Sequence, residues 1–139
     1  MIRNRSVPTA SVIPVLAYPD VVSAADWLCR AFGSRVRLRI ASHRVQLVLG
    51  DGAVILTDAG GHGQGLGVGH SILVRVEDAD LHHRRAVAAG ATILDAPTDH
   101  PYGERQYSAE DPAGHRWTFS ESIADFDPVS WGGTPVDLG

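Results

Sequence analysis

The chain carries seven histidines, one cysteine and 16 acidic residues, and their spacing decides what chemistry is open to it. The stretch DPAGHRWTF, Asp111 to Phe119, sets His115 directly after a tight-turn signal and ahead of a strand with two aromatics. An acid and an imidazole beside a turn make either a metal site or only the polar end of a hairpin. His82 and His83 are neighbours on a helical segment. Their side chains point about 100° apart and cannot chelate like an i, i+4 pair. His43, His62 and His100 lie in loop-like segments and read as exposed turn residues. No Ser-His-Asp or Cys-His spacing stands out. Cys29 has no partner for an internal disulfide and falls in a helical pattern, where it reads as a small buried apolar residue. The run DAGGHGQGLGVG contains no GxGxxG and no glycine-lysine loop and opens no helix, which argues against a nucleotide cradle.

The elements that must position these residues come from an ordinary globular composition, 44% apolar and 20% charged over 139 residues. A net charge of −4 argues against a phosphate-tracking surface, so no nucleic-acid partner is expected. Arg35, Arg37 and Arg39 alternate along a strand and read as its solvated face. The N-terminal MIRNRSVPTA lacks the apolar core of a signal peptide, and no apolar run approaches membrane-spanning length. The expectation is a cytoplasmic protein without a membrane partner.

The punctuation occurs twice. SVIPVLAYPDVVSAADWLCRAFGSRVRLRI runs from a strand through an Asp20 N-cap into a helix, ends at Gly33 and continues as a strand. HSILVRVEDADLHHRRAVAAGATIL repeats that order with Asp78 as the cap and Gly90 after the helix. A hairpin follows in each copy: RVQLVLGDGAVILT, turning at Asp51-Gly52, and RQYSAEDPAGHRWTFS, turning through Asp111 to Gly114. Each half therefore reads β-α-β-β-β. This gives an α+β chain with a first module at 1–57, a glycine-rich linker at 58–69, a second module at 70–121 and a tail at 122–139 pinned by Trp131.

A tandem β-α-β-β-β repeat ending in PYGERQYSAEDPAGHRWTFSE, with VIPVLAYPDVVSAADWL at its start, resembles the vicinal oxygen chelate superfamily over roughly residues 11 to 121. That group joins glyoxalase I, extradiol dioxygenases, fosfomycin-modifying enzymes and bleomycin-resistance binding proteins. The resemblance implies two modules curled into a cup-shaped sheet, and a homodimer with modules exchanged between chains. It does not choose between metal enzyme and metal-free binder.

The superfamily's metal enzymes place four His or Glu ligands on the cup side of the first and last strands of each module. Laid on this chain, those positions fall near Ile13, near Leu56 (within one residue), on Ser71 and on Thr118. Such residues do not make a divalent-metal site. His70 is one step from the third position, and on a strand one step means the opposite face. No metal and no cofactor are expected in the cup.

If Glu110 opposes His115 across the second turn, Arg105, Tyr107, Arg116, Thr118 and Ser120 face the cup, while Trp117 and Phe119 pack beneath the helix. The same logic puts Ile13, Leu47, Leu49, Leu56, Ser71 and Leu73 on the cup side, with Tyr102 at its edge. The cup is then an apolar trough with a few polar points. That points to metal-independent sequestration of a hydrophobic or aromatic small molecule, an antibiotic natural product in a resistance role. Two arginines in the cup disfavour a cationic drug and favour a neutral or anionic polyaromatic or peptide-derived one. The alternatives are a glyoxalase- or dioxygenase-like metal enzyme, and a metal-free lyase or isomerase using Tyr107 or Glu104 as acid/base.

Overall fold

The computed structural model describes residues 2–60 and 67–139. Two copies of one unit follow each other along the chain. The first is β1 (Val15–Tyr18), α1 (Val21–Phe32), β2 (Arg35–Ile40), β3 (Arg44–Leu49) and β4 (Gly52–Asp58). The second is β5 (Ile72–Arg75), α2 (Ala79–Ala88), β6 (Thr92–Asp99), β7 (Glu104–Glu110) and β8 (Arg116–Ser122). Each forms a four-stranded sheet, β1-β4-β3-β2 and β5-β8-β7-β6. In both, the first strand runs parallel to the last and the other neighbours are antiparallel. This is the α+β tandem-module architecture read from the sequence. The linker expected at 58–69 lies partly outside the described residues.

Local chemistry explains the helix ends. The Asp20 carboxylate accepts from the Ser23 amide at 3.0 Å, and Asp78 does the same for Leu81 at 3.0 Å. Gly33 takes φ 76°, a left-handed conformation natural for glycine, and its N–H closes on the Cys29 carbonyl. α1 buries Val21, Ala25, Leu28 and Phe32, whereas α2 buries only Ala79 and Ala86.

The small face of α2 is compensated from the first module. Trp27 Nε1 donates to the Ala89 carbonyl at 2.9 Å, and Arg85 donates to the carbonyls of Arg30 and Cys29. The Phe32 ring packs 4.6 Å from Phe119 and 5.4 Å from Trp117, centroid to centroid. One core therefore serves both modules. Cys29, expected to be buried, is half-buried at the edge of that core and accepts from the Ser34 hydroxyl at 3.5 Å. The tail turns at Pro128–Trp131, where Trp131 meets Tyr102 edge-on at 5.6 Å.

Both hairpins differ from expectation by one residue. Leu49 pairs with Gly52, so the first loop is Gly50-Asp51 rather than Asp51-Gly52. In the second, Glu110 pairs with Arg116 rather than His115. There the turn spans Asp111 to His115, closed by the Asp111 amide on the His115 carbonyl at 3.0 Å and the Gly114 amide on the Asp111 carbonyl at 2.9 Å.

Candidate functional site

Each sheet has one face on the helices and one open face, and strand pairing assigns the residues. In the first sheet Leu16, Tyr18, Val45, Leu47, Val54 and Leu56 share the helix face and belong to the core. The open face is set by Val15 opposite Ile55, Ala17 opposite Thr57, and Gln46 opposite Ile55. In the second sheet Ala109 opposite Trp117 and Tyr107 opposite Phe119 lie toward the helices. Ser108 opposite Thr118, Gln106 opposite Ser120, and Leu73 beside Thr118 define its open face.

Five of the expected cup residues therefore belong elsewhere. Leu47, Leu56 and Tyr107 are fully buried, at 0% exposure, in the core beneath the helices. Tyr107 was misplaced by the one-residue difference in the second turn, which reverses the face of every β7 residue. Its hydroxyl donates to His82 Nδ1, whose Nε2–H donates to the Phe32 carbonyl at 3.0 Å. Burial raises the pKa of the Tyr107 hydroxyl above its ordinary value. Arg105 moves with the same register and engages Asp80 of α2 at 3.0 Å and Asp99 at 2.9 Å instead of the cup. Leu49 shares the parity of Leu47 and packs at the edge of the core.

The remaining expected residues lie toward the open side without converging on one pocket. Thr118 shares a hydrogen bond with Ser108 at 2.8 Å. Leu73 is 63% exposed; with Leu49, Pro14 and Arg75 it lines a groove of about 580 Å³ where the start of β1 and the β3–β4 turn meet β5. Ser71 and Arg116 border a separate recess with His70. Ile13, half-buried, lies two residues before Val15 and so in its parity. Tyr102 stacks on His100 and donates to Gln106 Oε1 at 3.0 Å, at the rim of the second open face.

That second face is polar, which corrects the expected apolar trough. Gln106 Nε2 donates to the Ser120 hydroxyl at 3.0 Å, and Ser120 donates to Glu104 at 2.8 Å. Hydrogen bonding from Ser122, then from Ser120, and the charge of Arg75 hold the Glu104 carboxyl below its usual pKa. The first open face carries a strap that gave no sequence signal. Gln46 Nε2 donates to the Ser6 carbonyl at 2.8 Å, and Arg37 Nη2 donates to the carbonyls of Arg5 and Val7. These bonds draw the N-terminal segment over Gln46, which is 3% exposed, and Pro8 is buried with it.

A divalent ion does not fit the open faces. The positions that would face it carry Ile13 and Val15 from the β1 side, Ile55 and Thr57 from β4, Ser71 before β5, and Thr118 from β8. None offers an imidazole or a carboxylate. Among the described residues, no three His, Cys, Asp or Glu side chains gather around a common point.

Sequence reading also missed the hub behind the DPAGH turn. Asp111, 4% exposed, accepts from Tyr18 Oη at 2.6 Å, Trp117 Nε1 at 3.1 Å, and the amides of Ala113 and His115 at 3.1 and 3.0 Å. Burial and the adjacent carboxylate push the Tyr18 pKa far above its ordinary value. The turn residues marked the position, but only the fold brings Tyr18 to it from 93 residues away.

The comparisons with known proteins agree with this architecture. Residues 11–119 match the profile of the Glyoxalase/Bleomycin resistance protein/Dioxygenase superfamily. The crystal structure of TioX from Micromonospora sp. ML1 superposes with a TM-score of 0.69 at 35% identity, covering 82% of this chain and 99% of that one. Lactoylglutathione lyase from Agrobacterium tumefaciens shares the fold, with a TM-score of 0.63 and 19% identity over 91% of this chain and 98% of its own. The uncharacterized protein Rv0887c of Mycobacterium tuberculosis is 28% identical, over 81% of this chain and 74% of its own. No helix among the described residues is long and apolar enough to cross a membrane. The chain belongs to the Glyoxalase/Bleomycin resistance protein/Dioxygenase superfamily.

Proposed function

We propose that this protein binds and sequesters a small natural product on its open sheet faces without a metal ion, in an antibiotic-resistance role and as a homodimer. The observation that carries the reading is the donor set: at the places where a metal enzyme of this superfamily needs His or Glu, this chain presents Ile13, Ile55 or Thr57, Ser71 and Thr118. The face is not inert. Gln106, Ser108, Thr118, Ser120 and Glu104 form a hydrogen-bonding floor, while Val15 and Leu73 stay 52% and 63% exposed.

A ligand with amide or hydroxyl edges and one apolar side complements that surface better than a flat hydrocarbon. A peptide-derived antibiotic is favoured over a purely polyaromatic one. The exposed Val15 and Leu73 support a second copy closing over the ligand.

A panel of peptide-derived and polyaromatic antibiotics, screened by thermal shift and tryptophan fluorescence, tests the reading. Ligands with peptide edges should raise Tm with the logarithm of their free concentration. Thr118→Val combined with Gln106→Leu should weaken that response at least tenfold. A null result across the panel, or binding untouched by these substitutions, refutes it.

The metal-free lyase or isomerase reading has one supporting feature, a carboxylate on the open face. Glu104 is held ionised below its usual pKa, which makes it a weak base and a better acceptor of ligand hydrogen bonds. Tyr107 cannot serve, because it is buried against His82. Turnover of a bound ligand that is lost in Glu104→Gln while binding survives would favour the enzyme.

A further inference from the structure

Away from the open faces, two imidazoles from distant parts of the chain meet at the junction of the modules. His115, 1% exposed, closes the turn before β8, and its Nε2–H donates to the Ala17 carbonyl of β1 at 2.7 Å. In the neutral ring that bond uses the only N–H, so Nδ1 is left with a lone pair. That lone pair accepts a hydrogen bond at 3.3 Å from Nε2–H of His70, an exposed residue just before β5, so an ion bound between the rings would take the place of that proton.

The arrangement has three properties of a metal-ligand pair. Imidazole nitrogens bind borderline divalent ions at about 2.0–2.1 Å, and two of them at a tetrahedral angle stand roughly 3.3–3.4 Å apart. The observed separation matches without moving His115 from its bond to the Ala17 carbonyl. A ligating histidine generally donates its other N–H to a carbonyl or carboxylate, which fixes its tautomer, and the Ala17 carbonyl supplies that support. Finally, the neighbouring Asp111 carboxylate, bonded to the His115 amide, lends negative charge to the cluster. Arg116, which borders the recess beside His70, stands 3.5 Å from Glu110. That recess, lined also by Gly67, Val68, Gly69 and Ser71, opens on the His70 side of the pair.

We infer that His70 and His115 form a two-imidazole site for a borderline divalent transition ion (zinc, nickel or copper), separate from the open faces. Bound there, the ion ties the start of β5 to the β7–β8 turn and, through Ala17, to β1. It acts as a clip across the module junction.

Metal-free protein titrated calorimetrically with zinc, and with copper followed by electron paramagnetic resonance, tests this. The expected result is one ion per chain, nitrogen hyperfine structure from two imidazoles, and a rise in Tm on zinc addition. His70→Ala should weaken binding at least tenfold and abolish the Tm rise, while His43→Ala and His100→Ala leave both unchanged. Binding that survives His70→Ala, or no saturable binding below millimolar metal, overturns the inference. His70 is exposed, so its substitution decides the question even where the buried His115→Gln variant fails to fold.

Discussion

Replacing Asp111 with alanine removes the acceptor on which both modules converge, and the structure sets the size of the loss. Four donors end on this carboxylate: Tyr18 Oη, Trp117 Nε1 and two turn amides, at 2.6 to 3.1 Å. Tyr18 and Trp117 are each 1% exposed, so water cannot readily replace the lost partner. A buried donor left unsatisfied costs about 1–3 kcal/mol. Three such donors, the buried His115 amide included, give roughly 3–9 kcal/mol, and the turn amide of half-exposed Ala113 adds little because solvent reaches it. Relief of the buried carboxylate's own desolvation offsets part of this, leaving about 2–6 kcal/mol. At roughly 2.1 cal/mol/K per residue, 139 residues unfold with about 0.29 kcal/mol/K, so Tm should fall by about 7–21 °C. Tyr18→Phe removes one donor together with its bond and should cost only about 1–1.5 kcal/mol. In the Asp111→Ala background the same change should recover part of the loss, because it removes a buried hydroxyl that then has no acceptor. Urea denaturation of the four proteins, with m held constant, closes the double-mutant cycle. An Asp111→Ala protein within about 1 kcal/mol of wild type, or additive effects of the two substitutions, would refute the hub.

Three further outcomes follow from other contacts. Burial lowers the pKa of His82, so the folded protein resists a proton that the unfolded chain accepts near its ordinary pKa of 6.5. Stability is thus fully present above 6.5 and is lost as pH falls toward the folded value; urea midpoints from pH 7.5 to 5.5 should drop, and His82→Gln should flatten the slope. Gly103 has φ 84°, and an added Cβ would lie 2.3 Å from the Ala124 carbonyl oxygen. Gly103→Ala should therefore cost about 1–3 kcal/mol and detach the tail, read as a red shift in Trp131 emission. Gln46→Ala removes the donor to the Ser6 carbonyl, so trypsin should cleave after Arg5 several-fold faster than in wild type, and equal rates would show that the strap is not held there.

The order of elements was legible because each is marked by residues acting locally. Asp20 and Asp78 cap helices, Gly33 takes the left-handed turn, and Asp111-Pro112-Ala113-Gly114 makes a hairpin wherever the rest of the chain lies. The faces were not legible, and the reason is physical. RVQLVLGDGAVILT is apolar on both sides: Val45, Leu47, Val54 and Leu56 turn inward while Val48, Ala53 and Ile55 turn outward. Hydrophobic alternation cannot choose between two apolar faces. In β7 the choice rested on counting the turn as four residues. The Asp111 side chain instead gathers the amides of Ala113 and His115 and closes a five-residue loop, so Tyr107 meets Phe119 rather than Thr118.

That single residue alters the face offered to a ligand as well as the fold. With the counted register, Tyr107 would line the cup beside Thr118, and a flat aromatic would suit it. With the observed register Tyr107 packs on Phe119 beneath the helices, and Gln106 and Ser108 come to the open face beside Thr118, with Ser120 buried under them. Those groups already pair with one another, and their remaining lone pairs and N–H groups are what a ligand with amide or hydroxyl edges would meet. On the proposed reading, substituting Thr118 and Gln106 should therefore matter more for binding than substituting Leu73.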